Sequence, residues 1–178
     1  MDRVKAAIFS SLGDAVIGAR VLDLFAGSGA LGIEALSRGA SSAIFVEEDQ
    51  QSADIIESNL GKTKLTGRVR QQDVFHFLRN SSDVEKFQVI FADPPYEKTK
   101  SGENFTEKLL ANKELGRLLN FAGIFVLEKR HGESLPEIKL WRVTRQKTYG
   151  ATEVLFLCQS DARTRRTLKA LRAKLLKR

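Results

Sequence analysis

A β-rich run, Arg20-Val21-Leu22-Asp23-Leu24-Phe25, opens directly into Ala26-Gly27-Ser28-Gly29-Ala30-Leu31-Gly32, and Ile33-Glu34-Ala35-Leu36-Ser37 then continues at helical spacing toward Gly39. Strand, glycine-rich turn and helix in immediate succession make the first unit of a doubly wound α/β sheet, and this constrains the chain more than any other feature. The same order recurs along the sequence. Strands are expected at 20–25, 42–46, 67–71, 87–92 and 121–128, with helices after Gly32, at about 49–60, near 75–78 and over 103–119, where Phe105, Leu109 and Leu110 face inward. A short amphipathic helix over 2–12, with Val4, Ile8 and Leu12 on one face, precedes them and stops at Gly13. At the other end, 140–146 and 152–158 flank Tyr149-Gly150-Ala151, which is hairpin spacing. The expected fold is Rossmann-like α/β. It is an open, mostly parallel seven-stranded sheet with a C-terminal antiparallel hairpin, helices on both faces, and order 3-2-1-4-5 in its parallel part.

The fourth strand ends abruptly, in Val89-Ile90-Phe91-Ala92-Asp93-Pro94-Pro95-Tyr96. Proline cannot donate to a sheet ladder, and Pro94 biases Asp93 away from helix, so the strand must stop at Asp93. A stiff loop then presents a carboxylate, a backbone carbonyl and a phenol ring at one strand end. The Asp93 carboxylate and the Pro94 carbonyl are acceptors for the two hydrogens of an exocyclic amine, and Tyr96 can lie on the ring that carries it. An ordinary proline turn would use the same residues, so the loop gains meaning only from what stands beside it.

In an open α/β sheet, ligands bind beyond the carboxyl ends of the strands where the winding reverses. With the expected order, that point lies between strands one and four, where the glycine loop and the Asp93 loop both emerge. Gly27-x-Gly29-x-x-Gly32, followed by Glu47 at the next strand end, formally matches a dinucleotide fingerprint. A dehydrogenase is therefore the competing reading. Asp23 argues against it, because a pyrophosphate wants backbone amides and no carboxylate at the mouth of the loop. An acid there suits a ligand with a cationic end, such as the amino group and sulfonium of S-adenosyl-L-methionine. Phe25, Ala26, Gly27, Ser28 and Gly29 are expected to line that cofactor, with Glu47 accepting both ribose hydroxyls and Asp73, beside the Val74 amide, accepting the adenine amine. Any one of these acids alone would read as a turn residue or a helix cap; three at successive strand ends form a set.

Composition bounds the rest. With 178 residues and 42% hydrophobic side chains, the chain can build one real core. One cysteine, Cys158, in an apolar run, allows no internal disulfide and reads as a buried, inert thiol, while His76 and His131 lack ligand spacing, so no metal is expected. No apolar run reaches membrane length and no signal-peptide core opens the chain, so a cytoplasmic protein without membrane contact is expected. Charge is uneven. Residues 159–178 hold eight basic side chains and one acid, the whole net +7, while 1–158 balance at 21 of each sign. The chain thus reads as a domain over 1–158 and a basic tail over 159–178. Leu168, Leu171 and Leu175 in the tail recur at helical spacing, and it is expected to contact phosphates of a polyanionic partner.

Taken together, Asp2-Arg3-Val4-Lys5, the block from Asp23 to Gly32, Glu34-Ala35-Leu36-Ser37-Arg38-Gly39 and Asp93-Pro94-Pro95-Tyr96 resemble the RsmD family, in order and with family-like spacing over roughly 2–158. The resemblance implies a class I S-adenosylmethionine-dependent methyltransferase acting on a guanine N2 of 16S ribosomal RNA, at the position called 966, on naked RNA or an assembling small subunit. Asp93, Pro94, Pro95 and Tyr96 are expected to form the catalytic loop, and the protein is expected to be a monomer. Family members usually begin earlier, with a basic β-hairpin leading into the Asp-Arg-Val segment, where this sequence begins; the tail is not a family feature. The Asp-Pro-Pro-Tyr element is shared with adenine-N6 methyltransferases, and a close relative of it with glutamine methyltransferases. Those substrates remain the alternative, with a non-catalytic RNA-binding module behind them.

Overall fold

Seven strands form one sheet in the computed structural model, which describes residues 2–81, 85–96, 104–135 and 138–160. They are β1 (Arg20–Leu24), β2 (Ser42–Glu47), β3 (Arg68–Gln71), β4 (Phe87–Ala92), β5 (Leu119–Arg130), β6 (Trp141–Tyr149) and β7 (Thr152–Gln159). Their order is β3-β2-β1-β4-β5-β7-β6. The first five are mutually parallel, and β7 runs antiparallel to both β5 and β6. The mostly parallel sheet with its closing hairpin is the architecture the sequence pattern predicts, and the winding reverses between β1 and β4, which pair Leu24 with Ala92. Among the described residues no helix is long and apolar enough to cross a membrane.

Strand alternation sorts the core onto two faces. Leu22, Leu24, Ile90, Ala92, Phe125, Leu127, Leu155 and Leu157 pack on one side. Val21, Val89, Phe91, Val126, Val154 and Phe156 pack on the other, under Ile8, Phe9 and Leu12 of α1 (Asp2–Leu12) and Ala35 of α2 (Ala30–Ser37). Each fully buried aromatic or branched side chain contributes about 1.5–3 kcal/mol, so the central strands are fixed from both sides. The same alternation, carried to the strand ends, decides where the polar residues of the site point.

α2 lies unusually close to the sheet. A Cβ on Gly32 would sit 2.3 Å from Cε1 of the buried Phe45 ring. Only glycine permits that approach, and it brings the N-terminal amides of α2 over β1. Two side chains at strand ends start the next helices. Asp49 accepts from the Ser52 amide to open α3 (Gln50–Thr63), and Asp73 accepts from the His76 amide to open α4 (Val74–Asn80).

Several boundaries differ from the sequence pattern for local reasons. The single helix expected over 103–119 is two, α5 (Phe105–Ala111) and α6 (Lys113–Leu118). Asn112 is extended (φ −76°, ψ 116°), and its side chain accepts from the Leu115 amide at 2.7 Å, so a cap interrupts the apolar period. Residue 103 lies outside the described residues. β5 begins at Leu119 rather than 121, with a bulge against β4 between the Phe87 and Val89 pairings. α1 ends at Leu12 as expected, although a 3-10 turn, Gly13–Val16, follows without a break. Cys158 is half-buried instead of buried, with Arg142 Nη2 3.2 Å from its sulfur. β7 runs to Gln159, and the Ser160 amide bonds the Leu140 carbonyl. The helix expected in the basic tail falls outside the described residues.

Candidate active site

A cleft with two lobes runs along the carboxyl ends of β1, β2, β4 and β5. The first lobe, about 410 Å³, is walled by Val4, Lys5, Ala30 and Leu31 on the helix side. On the sheet side it is walled by Asp23, Phe25, Ala26, Gly27, Ser28, Asp93, Pro94, Pro95, Tyr96, Glu128 and Thr152. The second, about 960 Å³ and wider, is lined by Glu47, Glu48, Asp49, Gln50, Asp73, Val74, Phe75, Phe105 and Lys108. Phe25, Asp93 and Pro95 belong to both lobes. The expected site residues are thus brought together, with Asp93 at the junction. Gly29 starts α2 beneath the loop and is absent from both linings.

The loop after β1 is held in an unusual conformation. Gly27 and Gly29 have φ of 52° and 77°, and Phe25, a bulky residue, has φ 55°. A non-glycine residue there is strained by about 1–3 kcal/mol. The strain turns the Phe25 ring out of the strand and edge-on to Phe105 (centroids 5.5 Å) and Phe75 (6.2 Å), while Phe75 and Phe105 stack at 6.2 Å. The second lobe therefore has an aromatic wall opposite its acids. Phe105 is half-buried and faces this lobe instead of sitting inside the core.

Three of the acids, Asp23, Glu47 and Asp73, already have a backbone partner. Asp23, 2% exposed, accepts from the Gly32 amide at 2.8 Å. It thereby supplies the cap that Gly29, the residue before α2, has no side chain to provide. Glu47 accepts from the Gly27 amide at 2.7 Å through one oxygen and the Asp49 amide at 3.0 Å through the other. One Asp73 oxygen takes the His76 amide at 2.7 Å. A carboxylate offers about four acceptor positions, so all three can accept more.

The electrostatics of the first lobe are those of crowded anions. Asp23 is raised from 3.8 to about 8, chiefly by burial; the Gly32 amide pulls it back, and Asp93, Glu128 and Glu47 push it further up. Glu128 is raised to about 7 by burial and then by Asp93. Asp93 is open to solvent on the cleft side but backed by protein, and that partial desolvation raises its carboxyl as well. Protons here stand where a cationic ligand would give the same relief. A cationic group in this lobe, a hydroxylated ring over Glu47 and a flat apolar ring against Phe25, Phe75 and Phe105 are what these acceptors and rings fit.

Tyr96 is 48% exposed. Its hydroxyl meets Thr152 Oγ1 at 3.2 Å, and the Arg130 guanidinium lies 5.4 Å over its ring. The sequence reading missed Glu128, Lys5, Thr152, Phe75 and Phe105. Glu128 was legible as the next same-face position after Ile124 and Val126; the aromatics, thirty residues apart, gave no signal.

The profile of a family described as "Conserved hypothetical protein 95" matches residues 1–158. The chain is 40% identical over 157 residues to "Putative rRNA methyltransferase YlbH" of Bacillus subtilis (strain 168), covering 86% of this chain and 83% of that protein. It is 34% identical over 151 residues to "Ribosomal RNA small subunit methyltransferase D" of Escherichia coli (strain K12), covering 84% and 73%. A solved structure of a conserved hypothetical protein from Streptococcus pyogenes superposes with a TM-score of 0.75 at 32% identity, over 88% of this chain and 95% of that one.

Proposed function

The chain belongs to the conserved hypothetical protein 95 family, the RsmD family, and on that premise we propose that it is a ribosomal RNA methyltransferase that uses S-adenosyl-L-methionine to methylate a guanine N2 of 16S RNA. The nucleotide at position 966 is the target that the family resemblance supplies. The relatives named for ribosomal RNA and small-subunit methylation support the reaction class. The observation that carries the chemistry is the position of Asp93, which lines both lobes of the cleft, one strand over from the glycine loop.

The cofactor supplies an activated methyl group on a sulfonium. Asp23 and the loop 25–28 would hold its cationic end, Glu47 its ribose, and Asp73, Val74 and the aromatic wall its adenine. Guanine N2 is a weak nucleophile because its lone pair is delocalised into the ring. Hydrogen bonds from its two protons to the Asp93 carboxylate and the Pro94 carbonyl favour a pyramidal nitrogen and stabilise the positive charge that develops on it. Pro94 and Pro95 keep both acceptors fixed, so the remaining work is alignment. Asp93 is the first acceptor for the proton lost after transfer. The base must leave its stack to reach the cleft. Tyr96 then stacks on it, which requires the ring to exchange its Arg130 contact for a nucleobase.

The test is methyl transfer to 16S RNA or small subunits from a strain lacking the enzyme, with the modified nucleotide mapped by primer extension. Asp93→Ala should lower turnover by about 10²–10³-fold while cofactor affinity, read by calorimetry, stays near the wild-type value. Normal methylation by Asp93→Ala would refute the mechanism.

A further inference from the structure

Leu127 of β5 pairs with Ala92 of β4. The next residues on these parallel neighbours are Glu128, still inside β5, and Asp93, just past the end of β4, so their side chains stand side by side, on strands about 4.8 Å apart. Strand alternation places both on the α1 face, and both line the first lobe with Tyr96. Among the described residues, none donates a hydrogen bond to the Glu128 carboxylate. A half-buried acceptor with no such donor, beside the residue assigned to the target amine, faces whatever group adjoins that amine.

We infer that Glu128 is a specificity-determining residue: it accepts the N1–H of the target guanine while Asp93 and Pro94 hold the N2 amine. The inference rests on the proposed guanine-N2 reaction and adds how the base is chosen. On the Watson–Crick edge of guanine, N1–H lies directly next to the N2 amine, so adjacent acceptors meet adjacent donors. Adenine presents a bare lone pair at N1, which a carboxylate would repel. A glutamine side-chain amide has no second N–H next to its amino group. The adjacent carboxylates therefore turn a loop that could hold any amine into one that prefers the guanine edge. The burial that lifts Glu128 to about 7 means that a donor arriving at its carboxylate both fills the acceptor and draws the group into its ionised form.

The experiment compares two RNA substrates that differ at the target position, guanosine or 2-aminopurine ribonucleoside. Both carry the C2 amine, but 2-aminopurine has no proton at N1. Wild-type enzyme and Glu128→Ala are assayed on each at pH 8.5, where the Glu128 carboxyl is ionised and cannot donate to a bare N1, and the guanine-to-aminopurine ratio of kcat/KM is read, so that a general loss of activity cancels. Wild type should favour guanine by on the order of 10- to 100-fold, the range for a good base-edge contact. In Glu128→Ala the ratio should fall toward one, mainly through loss on guanine. Glu128→Gln, which can donate to the bare N1 of 2-aminopurine, should also compress it. An unchanged ratio in Glu128→Ala, or activity lost alike on both bases even to below detection, would overturn the inference and leave the guanine-N2 reaction standing. Wild-type enzyme with no activity on the guanosine substrate would overturn the proposed reaction and this reading with it.

Discussion

Asp23→Asn keeps the outline of the side chain and an acceptor for the Gly32 amide, but removes the ionisable group. The unfolded chain carries this carboxyl at the ordinary 3.8, the folded protein at about 8. Between those values the folded protein holds a proton that the unfolded chain has released. Stability therefore falls as pH rises from about 4 to 8 and is flat above that. At pH 7 the linkage amounts to ~4 kcal/mol against the folded state, and it is an upper figure because water in the cleft relieves part of the burial. The variant is free of this slope. In urea titrations, its stability relative to wild type should rise by up to ~3.6 kcal/mol between pH 5 and pH 8. Cofactor affinity should move the other way. In wild type, a bound cation favours the ionised carboxylate, so affinity should climb from pH 6 to 8, whereas in the variant this climb should be largely lost. A stability difference that does not change with pH, or one that shrinks as pH rises, would refute the reasoning.

Three further outcomes follow from other parts of the fold. Gly32→Ala places a methyl group 2.3 Å from a buried ring atom of Phe45, and the overpacking should cost about 1–3 kcal/mol in the same titration; an unchanged midpoint would mean α2 is not pinned as described. Lys129, 1% exposed, is paired with Glu153 at 2.6 Å, so Glu153→Ala should cost about 3 kcal/mol by stranding a buried cation. The Arg130 and Glu133 carbonyls that also accept from Lys129 keep that cost at the low end; a loss below 1 kcal/mol would show that those carbonyls suffice. Deleting 161–178 removes eight basic residues, and the slope of log K for RNA against log salt should flatten by up to ~0.7 for each phosphate the tail neutralises; an unchanged slope would mean that the tail neutralises none.

What the sequence revealed and what it hid divide along a physical line. Strand ends announced by glycine or proline were legible, because a backbone that must turn leaves few residue choices: Gly27, Gly29, Gly32 and the Pro94-Pro95 pair set both loops of the cleft. Asp93, Asp23, Glu47 and Asp73 were visible as acids at such ends. Their existing hydrogen bonds were not, because whether an acid caps a helix or faces a cleft depends on the tilt of the next element. Asp23 does both. The break at Asn112 was hidden for a related reason, since a side-chain cap inside an apolar period leaves that period nearly intact. The face of Glu128 was legible from the alternation of Ile124 and Val126, but only the pairing of β5 with β4 shows that it stands next to Asp93.

Asp23 is buried and Glu128 half-buried in the first lobe, yet the proposed substrate is a polyanion, so these acids must be kept apart from its phosphates. The fold does this by depth. Asp23 is buried, while Arg130 is exposed, its guanidinium resting on the Tyr96 ring; Lys5, on α1, is half-buried in the first lobe and paired with Glu34 at 3.6 Å. Phosphates held at the level of Arg130 stay outside the low-dielectric part of the cleft, where repulsion between like charges is strongest. A base carries no net charge and can pass below them. An extruded nucleobase brings no charge down to Asp23, and a cationic methyl donor is favoured there because it draws the carboxyl into its ionised form, whereas a pyrophosphate would keep it protonated and gain no charge partner. This is also why the glycine fingerprint alone misleads: Gly27 and Gly29 shape the turn for either ligand, and the acid four residues before Gly27 decides between them.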